Sequence, residues 1–247
     1  MVQARDFELD GIQVSAWVSS TELQPHRTYG HVFQRLGETF NAAPEFQPQD
    51  GLPPEFPVFT IGSNDLQWRL EVAKTRVNIY WRRVADEHRD IGPTLQVLGE
   101  YVSGIFEFNE AKIGRLAAVT ARAARNEQPA QEIARHFFSE RWLRAPFNRP
   151  ESLEIHSHKV FALTEAMNVN SWVRVKSGQR IGPTSPGPVV VIEQDVNTLD
   201  EDRVSRELQS TDVAQFLTVA SVELEHILGL YFPNEGHSER DADNASN

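Results

Sequence analysis

Residues 113–121, IGRLAAVTA, restart a pattern that residues 11–18, GIQVSAWV, begin, and this restart decides the fold. In the first stretch Ile12, Val14, Ala16 and Val18 alternate, as in a half-buried strand. In the second, Ala117, Val119 and Ala121 point one way, with Arg115 on the same side and Arg122 on the other. The segments after the two strands are also alike. Residues 11–109 read strand, helix, three strands, helix, and residues 112–231 read the same order again. The likeness lies in hydrophobic period and element order, not in matching residues.

In the first half, Pro25 sits before or within the first turn of a helix. Tyr29, Val32, Phe33, Leu36 and Phe40 then fall at helical spacing and place it over roughly residues 26–41. Residues 43–57 hold Pro44, Pro48, Pro53, Pro54 and Pro57 and read as an irregular surface loop, because proline offers no ladder donor and fixes φ. Val58 to Ile61, Leu66 to Val72 and Val77 to Trp81 make an antiparallel meander with hairpin-sized links. Pro93 opens a helix whose face is Leu95, Leu98, Val102, Ile105 and Phe106; Gly99 and Gly104 weaken it.

In the second half, Pro129 opens a helix with Ile133, Ala134 and Phe137, and residues 142–150 are a loop. Leu153, Ile155, Phe161 and Leu163 bracket a long strand, and Val169, Trp172, Val173 and Val175 make the next. Residues 178–188 are a Gly/Pro loop. The apolar run 189–192 then reads as a central strand buried on both faces. Asp212 is the expected N-cap of a closing helix that carries Val213, Phe216, Leu217, Ala220, Leu224, Ile227, Leu228 and Tyr231 on one stripe.

At 247 residues the chain is long enough for one large domain or two packed halves. The absence of cysteine removes disulfides, thiolate catalysis and cysteine zinc sites. No basic region followed by an apolar run opens the chain. No uninterrupted apolar stretch approaches the roughly 20 residues of a membrane span. A cytoplasmic location is expected. The net charge of −11 is uneven: residues 112–149 hold eight Lys/Arg against three acids, and residues 193–247 hold thirteen acids against three Arg. The two segments either neutralise each other or remain solvated, or the first forms a basic face for an anionic partner.

No dinucleotide-binding or P-loop glycine motif, no HExxH and no GxSxG is present. His156 and His158 fall on one side of a strand, and Glu154 shares their period. This is a candidate metal set, with an ordinary polar outer face the stronger reading. Glu223 and His226, beside Glu225, have the spacing of a Glu-x-x-His metal element, but a second copy is missing and a solvated helix face is the stronger reading. Arg82 and Arg83 follow Trp81 at a strand end. Arg135, Arg141, Trp142, Arg144 and Phe147 interleave bases with aromatics. Such residues serve as core aromatics with snorkelling arginines, as protein interfaces, or as single-stranded nucleic-acid sites. Nucleic acid is disfavoured by the net acidic charge.

The runs RVNIYWRR (76–83), TLQVLGEYVSGIFEF (94–108), KIGRLAAVTA (112–121), and VVIEQDVNT with VAQFLTVASVELEHILGLYF (190–198 and 213–232) resemble a sporadic family of uncharacterised bacterial proteins. The resemblance spans most of the chain through loose motifs. It departs at the last helix, where His226 is not at the family's position. It implies an architecture and no catalytic residues.

The expected fold is α+β: two βαβββα halves, mostly antiparallel sheet, and long helices packed on one face. This order is similar to the duplicated saddle of the TATA-binding-protein type; a helix-grip fold is the alternative. The halves are 1–110 and 111–233, with 234–247 a disordered acidic tail. The expected function is non-enzymatic. A bacterial or phage factor would dock another macromolecule, a protein first, through Arg135, Arg141, Trp142, Arg144, Phe147, Arg82 and Arg83. The alternatives are a small-molecule-binding module between sheet and helices, and a metal-dependent enzyme using Glu154, His156 and His158. No cofactor and no membrane partner is expected.

Overall fold

The computed structural model describes residues 1–48, 51–84, 89–139, 150–165, 167–181 and 186–234. The two restarted strands become its centre. β1 (Glu8–Val18) and β6 (Ile113–Arg125) pair antiparallel from Glu8 opposite Ala123 to Val18 opposite Ile113, with a bulge at Asp10. On β1's other side lies β5 (Arg76–Arg82), then β4 (Trp68–Val72), β3 (Phe59–Gly62) and β2 (Glu45–Phe46). On β6's other side lie β9 (Gly187–Thr198), β8 (Met167–Arg180) and β7 (Glu154–Thr164). The nine strands form one antiparallel sheet in the order β2-β3-β4-β5-β1-β6-β9-β8-β7. The halves therefore share a sheet and fan outward from its middle in the same order.

Alternation fixes what the helices cover. Ile12, Val14 and Ala16 align with Ile79 and Val77 on one neighbour and with Ala118 and Leu116 on the other. This row is buried on the side of the sheet that carries the helices α1 (Pro25–Leu36), α2 (Ile91–Phe108), α3 (Pro129–Phe137) and α4 (Ser210–Tyr231). α2 lies on β1 and β5, α3 on β8 and β9, and α4 on β6 and β9; α2 and α4 also pack together. Two long helices thus lie side by side, rather than one helix gripped by a curled sheet.

Buried polar groups tie the layers. Gln194 Nε2 donates to Leu224 O of α4 at 2.6 Å, and its Oε1 accepts from Thr120 Oγ1 at 3.2 Å. Asn109, just past α2, donates to Ile105 O at 2.8 Å and accepts from Gln24 N at 2.9 Å, which anchors the start of α1. Residues before β1 reach into the second half: Val2 N donates to Glu132 Oε1 of α3 at 2.7 Å, and Ala4 N to Phe232 O at 2.7 Å.

Several boundaries differ from the sequence reading, each for a local reason. The proline-rich segment contributes β2, because Glu45 and Phe46 pair with Thr60 and Phe59 on the sheet edge. α1 ends at Leu36; Phe40 lies beyond it yet is buried and stacks edge-on against Tyr101. α2 starts at Ile91, with Pro93 in its first turn. β8 runs through Gly178 to Arg180, since the ladder to β9 continues as far as Gly187. Asp212 is not the N-cap of α4. Gln209 caps it, and Asp212 at the third position accepts from Gln209 N at 2.8 Å. Among the described residues α4 alone is long and apolar enough to cross a membrane, with a mean hydropathy of 1.3. Its stripe from Val213 to Leu228 packs under the sheet and α2. The loop at 142–149 and the tail at 235–247 lie outside the described residues.

Candidate docking face

The other face of the sheet carries no helix among the described residues. Its side chains are those out of phase with the core. One row runs Arg69, Tyr80, Gln13, Val119, Asp195, Trp172 and His158 across seven strands. A neighbouring row runs Glu71, Asn78, Ser15, Ala117, Asn197 and Asn170. Over β1 and β6 the side chains are small, including Gly11, Ser15, Ala117 and Ala121, so the floor is low.

The face is hollowed by two cavities and bridged at one end. Arg180, at the end of β8, donates Nη2 to Asp10 Oδ1 at 2.7 Å and Nη1 to Glu8 Oε2 at 2.6 Å, both on β1. β6 and β9 lie between these strands, and three strand spacings in a flat sheet are about 14 Å. The contact therefore reaches across β6 and β9 on the open side of the sheet. Two cavities occupy the hollow. One of about 660 Å³ is lined by Gln13, Arg69, Glu71, Tyr80, Arg82 and Val119, among others. One of about 230 Å³ is lined by Val119, His156, Trp172, Arg174, Glu193 and Asp195, together with Val173. They meet at Val119.

The walls are mixed in charge and fixed by mutual bonds. Glu71 accepts from Tyr80 Oη at 2.8 Å and from Asn78 Nδ2 at 3.0 Å, and pairs with Arg69 at 2.7 Å. Burial, and then the Glu71 carboxylate, push the Tyr80 phenol above the usual tyrosine range. Across the floor, burial raises the Asp195 carboxyl, opposed by the Asn197 hydrogen bond and by Arg115. Arg174 pairs with Glu154 at 3.1 Å and Glu193 at 3.3 Å, and Lys176 pairs with Glu193 at 2.5 Å. At one end of the floor, Trp17 has the Arg115 guanidinium 4.7 Å and that of Arg76 5.9 Å from its ring centre.

The structure scatters the candidate residues named from the sequence. Arg82 is exposed on this face, its Nε donating to Leu66 O at 2.7 Å. Arg83 comes next in the chain and pairs with Glu8 at 2.8 Å. Arg135 is exposed on α3, on the opposite side of the sheet. Arg141, Trp142, Arg144 and Phe147 lie outside the described residues. His156 and His158 do share the open face with Glu154. His156 Nε2 bonds Glu154 Oε1 at 2.8 Å, and His158 stacks on Trp172 at 4.1 Å. Among the described residues no group of three or more His, Asp or Glu is placed to hold a metal ion. On α4, Glu223 is half-buried, Glu225 pairs with Arg122, and His226 is exposed. The residues that sequence reasoning missed are Trp17, Arg69, Glu71, Trp172, Arg174 and Asp195; Tyr80 stands beside the Arg82 and Arg83 it named. Their signal was present, because each is the off-phase residue of a strand whose in-phase residues are apolar.

No protein-family model matches the chain, and no curated protein does. Among solved structures Methanococcus jannaschii TBP is similar, at 11% identity and a TM-score of 0.29, the match covering 91% of this chain and 97% of that one. A TM-score of that size relates no side chain here to one there, and the open face stands on this chain's own register.

Proposed function

We propose that this protein docks another macromolecule, a protein, against the hollowed face of its sheet, which carries no helix among the described residues. The observation that carries this reading is the hollow itself: two adjoining cavities on one face of the sheet, with no helix among the described residues over them. A solvated outer face of an antiparallel sheet needs no hollow and no aromatics. This one offers Trp172, which is 46% exposed, and Arg69, whose side chain is 60% exposed, five strands apart in one row. Trp, Tyr and Arg are the residues that dominate protein interfaces.

Charge favours protein over nucleic acid. The walls alternate Arg69 with Glu71 and Arg174 with Glu154 and Glu193, and the chain as a whole carries −11. A phosphate backbone rewards uninterrupted positive charge, whereas a mixed wall suits a partner with its own mixed charges.

The test is capture of partners from native lysate by the full chain and by two variants. Arg69→Glu with Trp172→Ala is expected to lose a specific, stoichiometric protein partner while keeping the wild-type melting temperature. Arg135→Glu, on the helix side, is expected to retain it. Loss with Arg135→Glu and retention with the face variant would place the interface on the helix layer instead. Co-purification of nucleic acid in place of protein would refute the assignment of partner class.

A further inference from the structure

A cavity of about 490 Å³ lies on the opposite side of the sheet, where β1, β6, the start of α2 and the middle of α4 meet. Its apolar walls include Phe7, Leu9 and Leu228. Three arginines line it, Arg5, Arg89 and Arg122, together with the acids Asp90 and Glu225. Arg122 is the unusual one. It rises from β6 into the helix layer and is only 4% exposed. Its Nη1 donates to Glu225 Oε2 at 3.1 Å, and its Nη2 lies 3.0 Å from Oε1. Glu225 itself is 59% exposed, so water already shares its charge. The Arg122 Nε has no acceptor among the described residues. A buried donor without a partner is costly and therefore uncommon. α2 begins at the same cavity, with Ile91 and Gly92 of its first turn in the wall, so the positive end of the helix adds to the field there. The Arg89 guanidinium lies over the rings of Trp68 and Trp81, at 5.3 and 5.7 Å from their centres.

We infer that this cavity binds a small organic anion, an anionic head on an apolar body, with the Arg122 guanidinium as the partner of the head. The buried Arg122 Nε, left without an acceptor among the described residues, is the donor that an anionic head would satisfy. The volume and the Phe7, Leu9 and Leu228 walls leave room for a hydrocarbon body. The site is independent of the docking face, since the sheet separates them. It gives a definite place to a small-molecule module between sheet and helices.

Calorimetric titration of the full chain with octanoate, octanol and inorganic phosphate tests this. Octanoate is expected to bind once per chain. Octanol, lacking the charge, and phosphate, lacking the body, are each expected to bind at least roughly tenfold more weakly. Arg122→Met should weaken octanoate by a similar factor. If that variant does not fold, Glu225→Gln at its exposed helix position keeps the question open to measurement. Removing the competing carboxylate should leave octanoate binding as tight or tighter, whereas a purely structural ion pair predicts no octanoate binding in either protein. Equal binding of octanoate and octanol, equal binding of octanoate and phosphate, no binding of octanoate, or weaker binding by Glu225→Gln would each overturn the assignment.

Discussion

Tyr80 condenses the chemistry of the open face into one side chain. It is half-buried, and its hydroxyl donates to a carboxylate that already serves Asn78 and Arg69. Ionising the phenol would set two negative charges together in a partly desolvated place, so its proton is held. A folded-state pKa above the unfolded value means a stabilising contribution that is complete below pH of about 10 and is lost as pH rises beyond it. Ultraviolet titration should find one of the four tyrosines ionising later than the rest, and Glu71→Gln should bring it back toward them. A Tyr80→Phe variant that leaves the late tyrosine in place would refute the assignment. At this scale the sequence was legible where period two applies. Arg115, Ala117, Val119 and Ala121 do share one face of β6, and Arg122 takes the other. The hollow was not legible, because its walls come from strands far apart in the chain and meet only through register.

At the scale of elements, α2 and α4 carry the packing. Gly99 of α2 sits where a Cβ would lie 2.3 Å from Leu217 Cδ1, whereas around Gly104 nothing lies within 4 Å. In composition the two glycines look alike, each a weak point in a helix. In the fold one permits the close approach of α2 and α4 and the other is idle. Gly104→Ala should therefore raise stability by about 0.5–1 kcal/mol from helix propensity alone. Gly99→Ala should gain nothing or lose stability, because overpacking costs about 1–3 kcal/mol. Urea midpoints of the two variants decide this, and equal gains would mean that the helices are not in contact at Gly99. Leu224→Asp places a charge on the buried stripe of α4 and should cost several kcal/mol, roughly 3 or more. A wild-type melting temperature for that variant would contradict the packing of α4. Helices and most strands were readable from period and punctuation. The ends were not, because β8 extends to Arg180 only where β9 offers a ladder, and β2 exists only because β3 does.

In the whole molecule, residues 1–110 and 111–234 meet through their first strands. β1 has β6 along its full length, and Val2 and Ala4 at the start of the chain bond into the second half. Neither 1–110 nor 111–234 should then show a cooperative unfolding transition by itself. Such a transition in either piece would mean that the shared sheet is dispensable. The central claim is that the hollowed face, without a helix among the described residues, is a docking surface, and Val119, where the two cavities meet, is its midpoint. The most direct measurement is photo-crosslinking in cells, with a photoreactive residue placed at Val119 in one protein and at Arg135 on α3 in another. A discrete protein adduct from position 119 and none from position 135 is the predicted result; an adduct from 135 with none from 119 would contradict it.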